Sequence, residues 1–193
     1  GSSNGIDADY FKRTRELEDQ ALALRKQYDI QPDDVVFSFV GRIVRDKGIV
    51  ELVKAFKAVA DQLKDKVLPD GSIRRSFLLL VGPFEQALDP LPSSVVTFLE
   101  KDKRVILAGF QRDVRPWMMA SDIFVFPSYR EGFPNVVMQA CLLRVPVIVS
   151  DINGCNELIQ QESSGLIVPP KDVQALQHAM RVLLEEESKR KSF

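Results

Sequence analysis

Two basic side chains lie in a loop that is bounded by glycines. Residues 41–48 read GRIVRDKG, so Gly41 and Gly48 enclose Arg42 and Lys47. Gly41 would let the backbone turn sharply and let a ligand approach closely. Arginine grips a phosphate with two parallel hydrogen bonds, whereas lysine acts as a point charge. The pattern predicts an anion site, although ordinary surface cations on a solvated loop explain it equally well.

A second polar segment, residues 127–135, reads PSYREGFPN. Pro134 is suited to the first position of a helix, and the free amides of that first turn would face a cleft. Glu131 stands just before them and would accept hydrogen bonds from sugar hydroxyls. A carboxylate that only stabilises the helix dipole is the competing interpretation.

Other common site chemistries lack their residues here. The chain contains neither GxxxxGK[ST] nor GxGxxG, which disfavours a Walker loop and a dinucleotide-binding dehydrogenase. Cys141 and Cys155 do not form a CxxC pair, and His178 is the single histidine, so a metal site is not expected. Cys141 is predicted on the apolar side of its helix, in the core.

Short apolar runs and amphipathic segments alternate along the chain. The runs are continuous rather than alternating, which is typical of strands buried on both faces of a parallel sheet. The predicted strands are 35–40, 77–81, 105–107, 123–126, 147–149 and 166–168. The predicted helices are 13–28, 49–63, 91–101, 114–120, 135–143 and 173–184, with a surface loop at 65–75 and a frayed tail at 185–191.

This alternation predicts an α/β fold, a doubly wound Rossmann-like parallel sheet of about six strands with helices on both faces. Ligands of such sheets bind beyond the carboxyl ends of the strands. Both polar segments follow predicted strands there, so they are expected to meet.

The composition is that of an ordinary globular domain. The chain has 193 residues and a formal net charge of -1, so no basic field favours nucleic acid as a partner. No apolar stretch approaches the roughly 18 residues of a membrane span, and residues 1–11 do not resemble a signal peptide. The two cysteines fit a reducing cytosol, which is the expected compartment.

Several motifs occur together in an order that resembles glycosyltransferase family 4. They are Gly41-Arg42 with Lys47-Gly48, Ala120-Ser121-Asp122, Pro127-Ser128, Glu131-Gly132-Phe133-Pro134-Asn135, and Gly165-Leu166-Ile167-Val168-Pro169-Pro170. The opening Asn4-Gly5-Ile6-Asp7 with Phe11 resembles the segment that joins the two domains of that family. The resemblance covers nearly the whole chain.

The resemblance implies the C-terminal half of a GT-B fold, in which two Rossmann-like domains face each other across a cleft. Residues 1–12 would be the remnant of the interdomain linker, and residues 13–193 the nucleotide-sugar-binding domain. The implied reaction is retaining, metal-independent transfer of a hexose from a nucleoside-diphosphate sugar to a saccharide or lipid-linked acceptor. A UDP-sugar is favoured over a GDP-sugar.

The resemblance also implies partners and a location. The acceptor-binding N-terminal domain would lie outside this chain, which would then fold, bind nucleoside diphosphate weakly and transfer nothing by itself. By analogy, the full-length protein would work in polysaccharide assembly in the cytoplasm, peripheral to the inner face of the membrane.

The family's roles fall on particular residues. Arg42 and Lys47 would hold the donor diphosphate and stabilise the charge on the leaving group, and Glu131 would contact the donor sugar. Further binding residues implied by position are Gly41, Phe110, Gln111, Gly132, Phe133, Pro134, Asn135 and Gln139. Phe110 and Gln111 match the segment that contacts the base.

Gln139 departs from the family pattern. The second glutamate of that pattern, which binds the ribose hydroxyls, is replaced here by a neutral amide whose hydrogen bonds are weaker. This substitution keeps a non-catalytic nucleotide-binding module as an alternative. An epimerase or a phosphorylase on the same fold is another, although a phosphorylase would need a cofactor lysine that the sequence does not identify.

Overall fold

The computed structural model describes residues 5–63, 67, 71, 73–85, 87 and 89–193. Asn4 and most of the predicted surface loop at 65–75, including Pro69 and Asp70, lie outside these residues. The described chain forms helices α1 Arg15–Gln27, α2 Ile49–Leu63, α3 Ser93–Lys101, α4 Arg115–Met119, α5 Asn135–Leu142, α6 Cys155–Leu158, α7 Val173–Glu185 and α8 Glu187–Ser192. The strands are β1 Val35–Val40, β2 Ser76–Val81, β3 Val105–Gly109, β4 Ile123–Phe126, β5 Val147–Ser150 and β6 Gly165–Val168.

The six strands form one sheet in the order β3-β2-β1-β4-β5-β6. Every pairing is parallel, which confirms the predicted α/β architecture. From β1 the chain moves outward to β2 and β3, and from β4 it moves outward in the opposite direction to β5 and β6. Because crossovers are right-handed, the helices of these two halves cover opposite faces of the sheet.

The continuous apolar runs are strands because both of their faces are covered. All residues of β1 and of β4 are buried. Phe37 of β1 packs edge-on against Phe56 of α2, with ring centroids 6.2 Å apart. The predicted apolar stripe of α2 is buried along its whole length, and α2 also packs against α7. Burial of this kind stabilises a domain by about 25 cal/mol per Å² of apolar surface.

Local structure differs from the predictions at two site loops. Pro134 precedes the first residue of α5 instead of occupying it. A short 3-10 helix, Arg45–Lys47, follows β1 and ends at Gly48, whose φ of 73° is left-handed. Both features are set by a few residues. Segments this short show no apolar repeat from which they could be predicted.

The prediction of a frayed tail was wrong. Residues Glu187–Ser192 form α8, and the Arg190 guanidinium donates to the carbonyl of Leu183 at 2.7 Å. Lys189 is also paired with Glu162. The placement of Cys141 in the core was wrong as well, since its side chain is exposed on α5. The contacts with α7 and with Glu162 account for the helical tail.

Candidate functional site

The loops after β1 and β4 meet at the point where the direction of winding reverses. β1 and β4 are neighbours in the sheet although two other strands, β2 and β3, lie between them in the chain. This switch point leaves a crevice beyond the carboxyl ends of the two strands, and ligands of doubly wound sheets bind there. Both polar segments of the sequence lie at this crevice.

Gly48 allows the two loops to touch. A Cβ atom on Gly48 would stand 2.0 Å from the carbonyl oxygen of Pro127, and the left-handed φ of 73° is also unfavourable for other residues. Beside this contact, the Tyr129 amide donates to the carbonyl of Asp46 at 2.9 Å. The two loops are therefore held together by their backbones.

Lys47 and Glu131 form the central contact of the crevice. Lys47 Nζ lies 2.6 Å from Glu131 Oε1, and each side chain is only 16% exposed. The hydroxyl of Ser128, which is fully buried, donates to the same carboxylate oxygen at 2.8 Å. A partly buried ion pair with an added hydrogen bond holds both side chains in one geometry.

Arg42 lies in the same loop but is paired differently. Its guanidinium donates to Glu85 Oε2 at 3.4 Å, and the two side chains are 47% and 34% exposed. Glu85 follows β2, the neighbour of β1 on the side away from β4. The structure thus brings Lys47 and Glu131 into contact and directs Arg42 toward the adjacent loop.

Tyr129 connects the site to α2 and to the turn that precedes α7. Its hydroxyl lies 2.8 Å from both carboxylate oxygens of Glu51 in α2, and the Lys171 ammonium lies 4.7 Å from the centre of its ring. Burial, together with the hydrogen bond to Glu51, raises the pKa of Tyr129 above its usual range. Tyr129 therefore stays protonated and acts as a donor.

Cys155 is the first residue of α6 and lies near Glu131 and Lys47. Its side chain is fully buried, and burial raises the pKa of the thiol to about 12, to which the charge of Glu131 contributes. Cys155 fits a packing role in this environment, because a neutral thiol is a small apolar group.

The start of α5 is less open than the sequence suggests. The amide of Asn135 donates to the carbonyl of Phe133 at 2.9 Å, and the amide of Val137 donates to the carbonyl of Pro134 at 3.0 Å. The expectation of free first-turn amides was therefore wrong for these two groups. Gly132 and Phe133, which precede them, are exposed.

The remaining predicted binding residues lie on the loop after β3 and on α5. Phe110 follows β3 and is 74% exposed. The side-chain amide of Gln111 donates to the carbonyl of Ala108 at 2.7 Å. Gln139 lies on α5 four residues after Asn135, so the two share a helix face. The loop after β3 and the start of α5 both lie at the carboxyl edge of the sheet, where parallel strands end together.

Sequence reasoning missed the neighbours that hold the site together. Ser128, Glu85 and Tyr129 received no role of their own, yet they contact Glu131, Arg42 and Glu51. The position of Ser128, directly after an apolar strand, was a usable signal for a buried hydroxyl. Glu85 and Tyr129 gave no such signal, because their partners are far away in the sequence.

The described residues lack two features that other classes of protein carry. They contain no group of three or more His, Cys, Asp or Glu side chains placed to hold a metal ion. None of their helices is both long and apolar enough to cross a membrane.

Comparison with known proteins identifies the family. The model of the family "Glycosyl transferases group 1" matches residues 21–193. The chain is 33% identical over 194 residues to the capsular polysaccharide biosynthesis glycosyltransferase CapM of Staphylococcus aureus, covering all of this chain and 47% of that protein. It is 29% identical to a UDP-Gal:alpha-D-GlcNAc-diphosphoundecaprenol alpha-1,3-galactosyltransferase of Escherichia coli, covering 92% of this chain and 43% of that protein.

The fold is shared with solved structures. Anabaena Alr3699/HepE in complex with UDP and glucose superimposes with a TM-score of 0.77 at 22% identity, over 98% of this chain and 48% of that one. The described sheet and helices are those of the Rossmann-like C-terminal domains of GT-B glycosyltransferases. The chain spans slightly less than half the length of these relatives. On the evidence of the matched family model and of its sequence relatives, the chain belongs to the glycosyl transferases group 1 family.

Proposed function

We propose that this chain is the donor-binding domain of a retaining glycosyltransferase of the family 4 type, and that it takes a nucleoside-diphosphate hexose. The observation that carries the proposal is the partly buried contact of Lys47 with Glu131 at the switch point of the sheet. A cation and a carboxylate held side by side match a ligand with a diphosphate next to a polyhydroxylated sugar.

The proposed binding mode follows from the charges of the crevice. Lys47 and Arg42 bind the diphosphate, Arg42 as a two-pronged donor and Lys47 as a point charge. When the diphosphate binds Lys47, the ion pair of Lys47 with Glu131 is broken. The Glu131 carboxylate then accepts hydrogen bonds from the donor sugar. During transfer, negative charge grows on the departing nucleoside diphosphate, and the two fixed cations stabilise that charge.

The other end of the ligand is assigned to the loop after β3 and to α5. Phe110 and Gln111 contact the base, and Gln139 accepts a hydrogen bond from the ribose. The segment Gly132, Phe133, Pro134 and Asn135 lines the sugar and the phosphate, and Gly41 lets the ligand approach the end of β1. No metal ion takes part, because Arg42 and Lys47 supply the positive charge.

Uridine is the preferred base in this proposal. The Escherichia coli relative is a UDP-Gal:alpha-D-GlcNAc-diphosphoundecaprenol galactosyltransferase, and the Anabaena protein was solved in complex with UDP and glucose. Both names support a UDP-hexose over a GDP-hexose for this chain. The Staphylococcus aureus relative belongs to capsular polysaccharide biosynthesis, which supports a saccharide or lipid-linked acceptor.

The acceptor is assigned to a separate domain. The relatives are about twice as long as this chain, so we propose that an N-terminal domain binds the acceptor and that residues 1–12 are the linker. Residues 13–193 then form the donor domain, which binds nucleotide without transferring sugar. The complete protein works in the cytoplasm, at the inner face of the membrane.

The decisive test is ligand-dependent stability of this chain. UDP, GDP, ADP and their sugars are added in a thermal-shift series to the wild type and to Arg42→Ala, Lys47→Ala and Lys57→Ala. Lys57 is an exposed cation on α2 and serves as the matched control. Saturating UDP should raise the melting temperature by about 5–10 °C in the wild type and in Lys57→Ala.

Lys47→Ala and Arg42→Ala should each lose most of that rise while keeping the ligand-free melting temperature within a few degrees. An equal rise in Lys47→Ala and Lys57→Ala would show that the ligand binds elsewhere. For the complete protein, the anomeric configuration of the product, read by NMR, distinguishes retention from inversion.

A further inference from the structure

The loops that follow β1 and β2 run side by side beyond the ends of the strands. The amide of Ile43 donates to the carbonyl of Pro83 at 2.8 Å, and Ile43 forms a parallel bridge with Phe84. At their base the backbones are in contact, because a Cβ atom on Gly82 would stand 1.9 Å from the carbonyl oxygen of Gly41. This pairing fixes Arg42 and Glu85 as neighbours.

The site therefore contains two ion pairs of different character. The inner pair, Lys47 with Glu131, is 2.6 Å long and 16% exposed on each side. The outer pair, Arg42 with Glu85, is 3.4 Å long, with side chains 47% and 34% exposed. In the ligand-free site each cation is thus matched by a carboxylate, and the four side chains sum to zero charge.

The outer pair can be exchanged easily. A solvent-exposed ion pair at this length is weak and is screened by salt, so Arg42 loses little by leaving Glu85. A diphosphate offers Arg42 two oxygens in a better geometry. Glu85 cannot move away with the change, because the pairing of the loops after β1 and β2 holds it beside Arg42. Its negative charge then repels the incoming phosphate.

We propose that Glu85 is an affinity-setting residue of the donor site. It holds Arg42 while the site is empty, and it weakens the binding of anionic ligands by competing for Arg42 and by repelling their charge. This inference rests on the proposed binding of a nucleoside diphosphate by Arg42 and Lys47. Because repulsion grows with ligand charge, Glu85 restrains a diphosphate more than a monophosphate.

The test is the isosteric change Glu85→Gln, measured by titration calorimetry with UDP and with UMP. Glu100→Gln, which removes an exposed carboxylate from α3, is the matched control for net charge. Glu85→Gln should bind UDP about two- to fivefold more tightly at about 0.05 M salt, and the gain should shrink at about 0.5 M salt. The gain for UMP should be smaller, and Glu100→Gln should match the wild type.

A double change separates competition from simple repulsion. In the Arg42→Ala background, Glu85→Gln should gain less than it does when Arg42 is present. Unchanged UDP affinity in Glu85→Gln would overturn the inference, and weaker binding would overturn it by assigning Glu85 a direct contact with the ligand. Failure of the wild type to bind UDP at all would instead count against the proposed function.

Discussion

Gln139 is the residue at which the resemblance to glycosyltransferase family 4 predicts a departure from the family pattern. It lies on α5, four residues beyond the exposed Asn135, and it is half-buried. An amide oxygen accepts a hydrogen bond from a hydroxyl, but it lacks the charge that makes a carboxylate the stronger acceptor. The proposed ribose contact is therefore present here in a weakened form.

Restoring the charge should strengthen nucleotide binding. Gln139→Glu is expected to tighten UDP binding by about three- to tenfold, because hydrogen bonds to a charged acceptor are roughly twice as strong as neutral ones. Calorimetry measures the change, and Gln174→Glu on the exposed side of α7 is the control. An unchanged or weaker affinity would mean that Gln139 does not contact the ribose.

The buried hydroxyl of Ser128 shows how a small residue shapes a site. It stands 2.8 Å from the Glu131 oxygen that also contacts Lys47, and it lies 3.1 Å from the carbonyl of Arg130. Since a hydroxyl has one proton, it serves one of these acceptors at a time. The pair of Lys47 and Glu131 is therefore held by its surroundings as well as by its own attraction.

At the scale of elements, the loops that carry the site are fixed by backbone contact. Gly48 ends the 3-10 helix after β1 and touches Pro127, the first residue after β4. Gly109 has a similar left-handed φ of 67°, but no atom lies within 4 Å of the position that its Cβ would take. The two glycines thus differ mainly in the space around them.

This difference predicts two sizes of effect. Gly109→Ala should lower the free energy of unfolding by about 1–2 kcal/mol, because alanine disfavours a left-handed backbone. Gly48→Ala should cost about 1–3 kcal/mol more, since the loops must also move apart. Urea unfolding measures both changes. An equal loss of unfolding free energy in the two variants would show that the loops move apart without strain.

Helix α8 illustrates how one element depends on another. Its sequence is short and strongly charged, and no isolated helix of this length would be stable in water. Arg190 binds the carbonyls of Leu183 and Leu184 at the end of α7. Contacts with the end of α7, together with the ion pair of Lys191 and Glu187 within α8, keep the segment helical.

At the scale of the whole molecule, the first described residues are tied to the middle of the chain. The Arg115 guanidinium donates to the carbonyl of Tyr10 at 2.8 Å and lies 3.6 Å from the centre of the Tyr10 ring. The same guanidinium pairs with Asp113 at 2.6 Å. The hydrogen bonds from Arg115 hold the pKa of Asp113 below its usual range, against the opposing effect of burial.

The lowered pKa of Asp113 gives stability a dependence on pH. A carboxyl whose pKa is lower in the folded state stabilises the fold above its unfolded pKa, and that contribution disappears as the pH falls through the folded value. Asp113→Asn should therefore be less stable than the wild type at pH 7, and the difference should shrink as the pH falls below about 4 and vanish once the pH is below the folded pKa.

Urea unfolding across this pH range tests the prediction, with Asp19→Asn as a control on the exposed surface of α1. A stability difference that persists unchanged at the acid end would show that Asp113 acts through packing rather than through its charge.

Much of the architecture was determined by the sequence alone. The continuous apolar runs and the helical stripe of α2 specify a parallel sheet covered on both faces, because burial is the dominant favourable term in folding. The two polar segments follow strands, so their meeting at the carboxyl edge followed from the fold class. These features are local or periodic, and a single sequence displays them directly.

Only the tertiary structure decided the pairing of charges within the site. The contacts of Lys47 with Glu131, and of Arg42 with Glu85, join residues 84 and 43 positions apart in the chain. The strand order brings their loops together, and close backbone contacts at Gly48 and Gly82 set the distances. Such pairings depend on the order of strands and on the exclusion of volume, and neither leaves a periodic trace in the sequence.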